Sequence, residues 1–186
     1  MSERLRERRI EGRRVYEGRV VSLDVDRVRF TDGGEATREV VRHPGAVVVA
    51  AITTEGHVVL ERQFRYAAGE VLLELPAGTL APGEDPLACA QRELAEETGC
   101  AAREWRRLSL FYTAPGFTDE RMYCFLAVGA ARVGEARPEA DERIEVVTMP
   151  LAEAVAAMVR GEVRDAKSII GLLLAERVAR EGGWSA

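Results

Sequence analysis

Three carboxylates fall within five residues of this chain: Glu93, Glu96 and Glu97. Their spacing of i, i+3, i+4 puts them on one face of a helix, within a single turn. Like charges this close destabilise a helix by roughly 0.2–0.5 kcal/mol per pair. Arg92, four residues before Glu96, relieves part of that repulsion. One reading of such a cluster is a solvated acidic face. The other is a site for hard divalent cations, which prefer carboxylate oxygens and would turn the repulsion into attraction. Two further features suit an anionic substrate beside a metal. The run Arg62-Gln63-Phe64-Arg65-Tyr66 carries two arginines, whose forks make bidentate hydrogen bonds to phosphate, although an ordinary strand end would read the same way. Pro76-Ala77-Gly78 interrupts the pattern just before the acidic turn, so Ala77 is expected in a loop that presents its carbonyl as a further oxygen ligand. Of the two histidines, His43 lies beside a turn and reads as structural, His57 lies in another turn and is assigned no role, and no GxxxxGK[ST] phosphate loop occurs.

The carboxylates need a helix, and its ends are signalled. Asp85 is a good N-cap, Pro86 suits the first turn, and Gly99 can adopt the left-handed conformation that ends a helix. Leu87, Ala90 and Leu94 form a neighbouring apolar face for packing. Strands are expected at Ala46 to Thr53, Val58 to Phe64 and Glu70 to Leu75 before the helix. Others follow it over Arg103 to Thr113, Arg121 to Val128 and Ile144 to Met149. Loops fall at Ala114 to Glu120 and, rich in acid, at Arg137 to Arg143. Two helices close the chain, Leu151 to Arg160 and about Asp165 to Arg180. At the start, Met1 to Arg14 mixes arginines with Glu3, Glu7 and Glu11, which reads as a solvated or frayed terminus rather than a nucleic-acid arm. Strand-like runs at Val15 to Leu23, Val25 to Phe30 and Ala36 to Arg42 follow, the last two joined at Asp32-Gly33. Such a small antiparallel unit has no core of its own and must pack on the rest of the chain or on a second subunit.

The 186 residues suit one domain with a small extension. A net charge of −5 disfavours bulk binding to nucleic acid. Cys89, Cys100 and Cys124 are odd in number and contain no CxxC, so they are expected as reduced thiols in a cytoplasm. No apolar run approaches the roughly 20 residues of a membrane span, and the first residues lack the apolar core of a secretory signal.

The flanks of the acidic turn decide between its two readings. Gly78, Glu84, Arg92, Glu93, Leu94, Glu96, Glu97, Gly99 and Cys100 fit the pattern G-x5-E-x7-R-E-U-x-E-E-x-G-U, with U an apolar residue. Its seven fixed identities would coincide by chance roughly once in 10^8 windows. This resembles the signature of the Nudix hydrolases. The run RQFRY, the entry Leu75-Pro76-Ala77-Gly78 and the later loop APGFTDE extend the resemblance to the bacterial ADP-ribose pyrophosphatases, with Ala114 in place of that loop's usual serine.

The resemblance implies an α/β class, with a Nudix α/β/α sandwich around a mixed sheet over residues 43–186. It also implies a small N-terminal antiparallel β unit over residues 1–42 that serves homodimerisation. The implied reaction is hydrolysis of ADP-ribose to AMP and ribose 5-phosphate, with Mg²⁺ or Mn²⁺ held by Glu93, Glu97, Glu96 and the Ala77 carbonyl, and Glu84 in an outer shell. Arg65 is expected to clamp a phosphate, Pro115, Gly116 and Glu120 to line the substrate site, and Arg92 to orient the glutamates. Aligning on Ile144 puts Glu142 at a family metal position and Ala140 at the usual general-base position, which leaves the base role to Glu142, to the adjacent Glu139 or to a glutamate of the acidic turn. GDP-mannose or another nucleoside-diphosphate sugar is the alternative substrate. A non-catalytic ADP-ribose-sensing regulator is the alternative class, against which the acidic positions are all intact.

Overall fold

The computed structural model describes residues 3–182, which divide into two compact units. The larger comprises residues 46–111 together with the chain after residue 121. Its centre is β4 (Ala46–Thr53), an apolar run buried on both faces from Val47 to Ile52. Burial on both faces is what a central strand beside a parallel neighbour requires, and it explains why this run shows no alternation. The parallel neighbour is β10 (Arg121–Arg132), in register from Ala46 against Met122. On the other side lie β5 (His57–Arg65) and then β11 (Ile144–Pro150), both antiparallel. β6 (Glu70–Glu74) pairs with β5, β7 (Ala77–Thr79) with β4, and both β8 (Cys100–Ala101) and β9 (Glu104–Tyr112) with β10. The sheet is therefore mixed, and helices cover both its faces.

On one face α1 (Pro86–Thr98) buries Cys89, Ala90 and Leu94 against Val47, Val49, Val59 and Phe125. On the other, α2 (Leu151–Val159) and α3 (Ala166–Arg180) bury Ala154, Ala157, Leu172 and Ala175 against Val48, Ala50, Leu60 and Leu126. Successive strand residues feed alternate faces, so one apolar strand serves both layers. This is the α/β/α sandwich that the resemblance implies. Leu87 departs from the expected packing face, being exposed in the first turn of α1, whereas Ala90 and Leu94 are fully buried. The Ser168 hydroxyl accepts from the Leu75 N–H at 2.7 Å, tying the start of α3 to the end of β6.

The smaller unit holds residues 1–45 and 112–121. β1 (Glu7–Glu17), β2 (Ser22–Phe30) and β3 (Glu35–Arg42) form an antiparallel sheet in that order. The frayed start expected from the charge pattern is corrected here: the strand begins at Glu7, not Val15. Its charges find partners across the sheet, Glu7 with Arg38, Arg9 with Asp26, Glu11 with Arg27 and Arg14 with Asp24. Opposite charges facing each other across strands stabilise pairing without any apolar alternation. Residues 112–121 join through β3, where the Val41 N–H donates to the Phe117 carbonyl at 2.8 Å and the Asp119 N–H to the Val41 carbonyl at 3.2 Å. Arg42 and the His43 N–H both bind Asp119. His43 Nδ1 accepts the Gly45 N–H at 3.0 Å, the structural role expected of it.

Candidate active site

The acidic face of α1 depends first on its caps. The Asp85 side chain accepts from the N–H groups of Leu87 and Ala88, and Gly99 takes φ 70° at the far end. Between them the three glutamates occupy different environments. Glu97 is buried, Glu93 nearly so, and Glu96 sits half out in solvent.

Glu97 is anchored to the entry strand, accepting the Ala77 N–H at 3.0 Å. Ala77 thus opens the short strand β7 instead of lying in the expected loop, because the sheet captures it opposite Val48. Beside it Gly78 has no side chain for a spatial reason. A Cβ there would stand 1.9 Å from the Glu93 Cδ.

Arg92 gathers the acids. Its Nε and Nη2 donate to the two oxygens of Glu84 at 2.9 and 3.1 Å, and Nη1 meets Glu96 at 3.0 Å and Glu93 at 2.8 Å. Those hydrogen bonds hold the Glu84 carboxyl down at about 2. The arginine therefore explains two fixed positions of the motif at once: Glu84 orients Arg92, and Arg92 orients Glu93 and Glu96.

Deeper in, the balance reverses. Burial pushes the Glu97 carboxyl well above the usual range, and the charges of Glu61 and Glu93 push it further. Glu93 is raised as well, by burial first, with Arg92 opposing and the charges of Glu96 and Glu142 adding. The charge of Glu142 raises Glu93, Glu97 and Glu61 alike, so the acid-rich loop lies within electrostatic reach of the helix face. Its carboxylate is fixed by the Glu139 N–H at 2.9 Å. Glu139 itself is exposed and supplies that backbone contact. Ala140, where the family places its usual base, is exposed.

Arg65 makes a bidentate pair with the fully buried Glu74, Nε to Oε1 at 3.0 Å and Nη2 to Oε2 at 2.7 Å, and Lys167 meets the same carboxylate at 2.5 Å. Burial pushes Glu74 up, but the hydrogen bonds and charges of Arg65 and Lys167 outweigh it and hold the group below its ordinary value. Pro115, Gly116 and Glu120 belong to the smaller unit. Pro115 and Gly116 are exposed, and Glu120 accepts the Thr113 hydroxyl at 2.6 Å.

One group escaped the sequence reading. Glu61, in the middle of β5, is fully buried and neither of its oxygens has a hydrogen-bond partner. A lone acid among Val58, Val59 and Leu60 is the signal that could have revealed it, because a buried strand has no packing use for a carboxylate. Among the described residues, no three acidic, histidine or cysteine side chains already converge as a ready metal cage. The donor set nonetheless fits a hard cation: buried carboxylates crowd one another, and a buried acceptor stands without a donor.

Residues 41–170 match the NUDIX domain family. An ADP-ribose pyrophosphatase of Bacillus subtilis (strain 168) is 40% identical over 165 residues, covering 88% of this chain and 89% of its own. An ADP-ribose pyrophosphatase of Mycobacterium tuberculosis (strain ATCC 25618 / H37Rv) is 41% identical over 173 residues, 91% and 83% respectively. A GDP-mannose pyrophosphatase of Cronobacter sakazakii (strain ATCC BAA-894) is 35% identical over 148 residues, 71% and 77%. A crystal structure of an ADP compounds hydrolase superposes with a TM-score of 0.81 over 95% of this chain and 96% of its own. At 22% identity that likeness bears on the fold alone.

Proposed function

The chain belongs to the NUDIX family, and on that premise we propose that it is a pyrophosphohydrolase that cleaves ADP-ribose to AMP and ribose 5-phosphate. The observation that carries this reading is the intact acid face of α1, with Glu97 buried, in a chain about 40% identical, along most of its length, to two ADP-ribose pyrophosphatases. The GDP-mannose pyrophosphatase matches less of the chain at lower identity, which makes GDP-mannose the comparison substrate.

Glu93, Glu97 and the Ala77 carbonyl would hold Mg²⁺ or Mn²⁺, with the more exposed Glu96 at the rim. A divalent cation bound there offsets the diphosphate charge and makes water a stronger acid. The chain's own groups do the remaining work. Glu142 accepts the proton of the attacking water, in a position fixed by the Glu139 N–H. Arg92 keeps Glu93 and Glu96 from splaying apart. Arg65, held in place by Glu74, turns its guanidinium toward a substrate phosphate. Pro115, Gly116 and Glu120 take part in seating the substrate. We further infer a homodimer through the N-terminal strands, supported by the exposed Val15 and Tyr16 of β1. A cytoplasmic setting is supported by three free, buried cysteines. Among the described residues no helix is long and apolar enough to cross a membrane.

The test is incubation of the pure protein with ADP-ribose and with GDP-mannose, with and without Mg²⁺, followed by chromatography of the nucleotide products. Metal-dependent AMP release, faster than GMP release from GDP-mannose, is expected. Faster turnover of GDP-mannose overturns the substrate, and tight ADP-ribose binding without hydrolysis overturns the enzyme.

A further inference from the structure

Among the described residues, three buried side-chain oxygens lack a hydrogen-bond partner: both oxygens of Glu61 and Oε1 of Gln63. All three belong to one strand, two residues apart, and so to one face of β5. Val59, two residues before Glu61 on that face, packs in the α1-side core. The three orphans are all acceptors. A buried acceptor without a donor is destabilising, the more so when charged, and a strand residue serving only to pack would be apolar.

The surroundings of Glu61 say what is missing. The charge of Glu61 opposes that of Glu97 on α1, and Glu74 and Glu142 add negative charge to Glu61 from β6 and the acid-rich loop. The cations that act on Glu61 are Arg65 and Lys167, and both are already hydrogen-bonded to Glu74. The surroundings of Glu61 are thus rich in carboxylate oxygen and short of free positive charge. Hard divalent cations bind such oxygen sets, with carboxylate and amide carbonyl oxygens as equally acceptable donors.

We propose that Glu61, with Gln63 beside it, forms the sheet side of the divalent-cation site, completing from β5 the ligand field that Glu93 and Glu97 supply from α1. The inference rests on the reading of Glu93 and Glu97 as metal ligands, and it adds two residues that lie outside the acidic motif. It also explains why a costly acid occupies the core of a strand.

The experiment is Mn²⁺ binding to the full chain, followed by the loss of the free-ion electron paramagnetic resonance signal. Wild type, Glu61→Gln, Glu61→Met and Gln63→Leu are compared, with Glu97→Gln as reference. Thermal melts are recorded with and without Mn²⁺. Glu61→Gln is expected to weaken Mn²⁺ binding at least tenfold, to raise the metal-free melting temperature and to shrink the rise that Mn²⁺ produces. Gln63→Leu should weaken binding by less. Glu61→Met, apolar and of similar length, gives the same reading if the buried amide of the Gln variant prevents folding. Mn²⁺ binding within twofold of wild type in the folded Glu61 variants overturns the proposal, as does a wild type that binds no Mn²⁺. ADP-ribose hydrolysis by wild type is assayed separately. Hydrolysis with unchanged Mn²⁺ binding in the variants sinks the role of Glu61 and leaves the enzyme. Weakened binding with no hydrolysis does the reverse.

Discussion

Gly78 shows how a single missing side chain positions a reactive one. The Glu93 carboxylate occupies the space where a Cβ would stand, 1.9–2.4 Å from its atoms. Gly78→Ala should therefore displace Glu93 by an ångström or so, and a misplacement of that size costs about 10²-fold in rate. Steady-state kinetics on ADP-ribose should show this loss with a nearly unchanged melting temperature. A rate within twofold of wild type would mean that Glu93 has room to move harmlessly. Glu74 gives a prediction in pH. Its carboxyl is held below its ordinary value of 4.5 by Arg65 and Lys167, so its contribution is fully present above 4.5 and is lost as pH falls through the lowered value. Glu74→Gln should cost about 3 kcal/mol at neutral pH, as expected for breaking a buried ion pair. In urea unfolding at pH 7 and pH 4, the gap between variant and wild type should narrow at the acid end. A constant gap would remove Glu74 from the ionised state. At this scale the sequence was informative wherever partners lie within a turn of helix, as with Glu93, Glu96, Glu97 and Arg92. It was silent where the partner lies across a sheet. Arg65 meets Glu74 only because β5 and β6 pair, and Glu61 comes under the charge of Glu97 only because α1 packs on the sheet that contains β5.

Elements with local signals were legible for the same reason. Both caps of α1 are written into residues adjacent to it, and the helix runs between them as expected. Gly99 answers two demands, a φ of 70° and a Cβ position only 2.5 Å from the Gly134 carbonyl oxygen. Gly99→Ala should accordingly destabilise by more than the roughly 1 kcal/mol of a conformational penalty alone, because backbone and not a flexible side chain stands in the way. Urea unfolding would measure it, and a loss below 0.5 kcal/mol, roughly the size of an ordinary surface change, would contradict the packing. β1 was illegible because its stabilising pattern is ionic. Hydrophobic periodicity cannot report a strand whose residues face Asp24, Asp26, Arg27 and Arg38 across the sheet. Ala77 was placed in a loop because a three-residue strand has too few residues to display any period.

At the scale of the molecule, the α/β/α layering of the larger unit came from the resemblance of the acidic motif and its flanks, while the elements themselves were readable from their patterns. The composition of the smaller unit was not, since residues 112–121 are far in sequence from the strands they join. Deleting residues 1–45 should leave that segment without Val41, Arg42 and His43, and limited proteolysis should then cut within 112–121. Protection of the segment in the truncated chain would show that it holds itself. The same discontinuity sets an order of events during synthesis. The three N-terminal strands leave the ribosome first, yet their unit cannot close until residue 121 has been translated, after six of the central sheet's eight strands. The part of the protein that is made earliest therefore waits for most of the central sheet to be made, and nascent chains halted before residue 112 should carry β3 with an unpaired edge exposed to other chains.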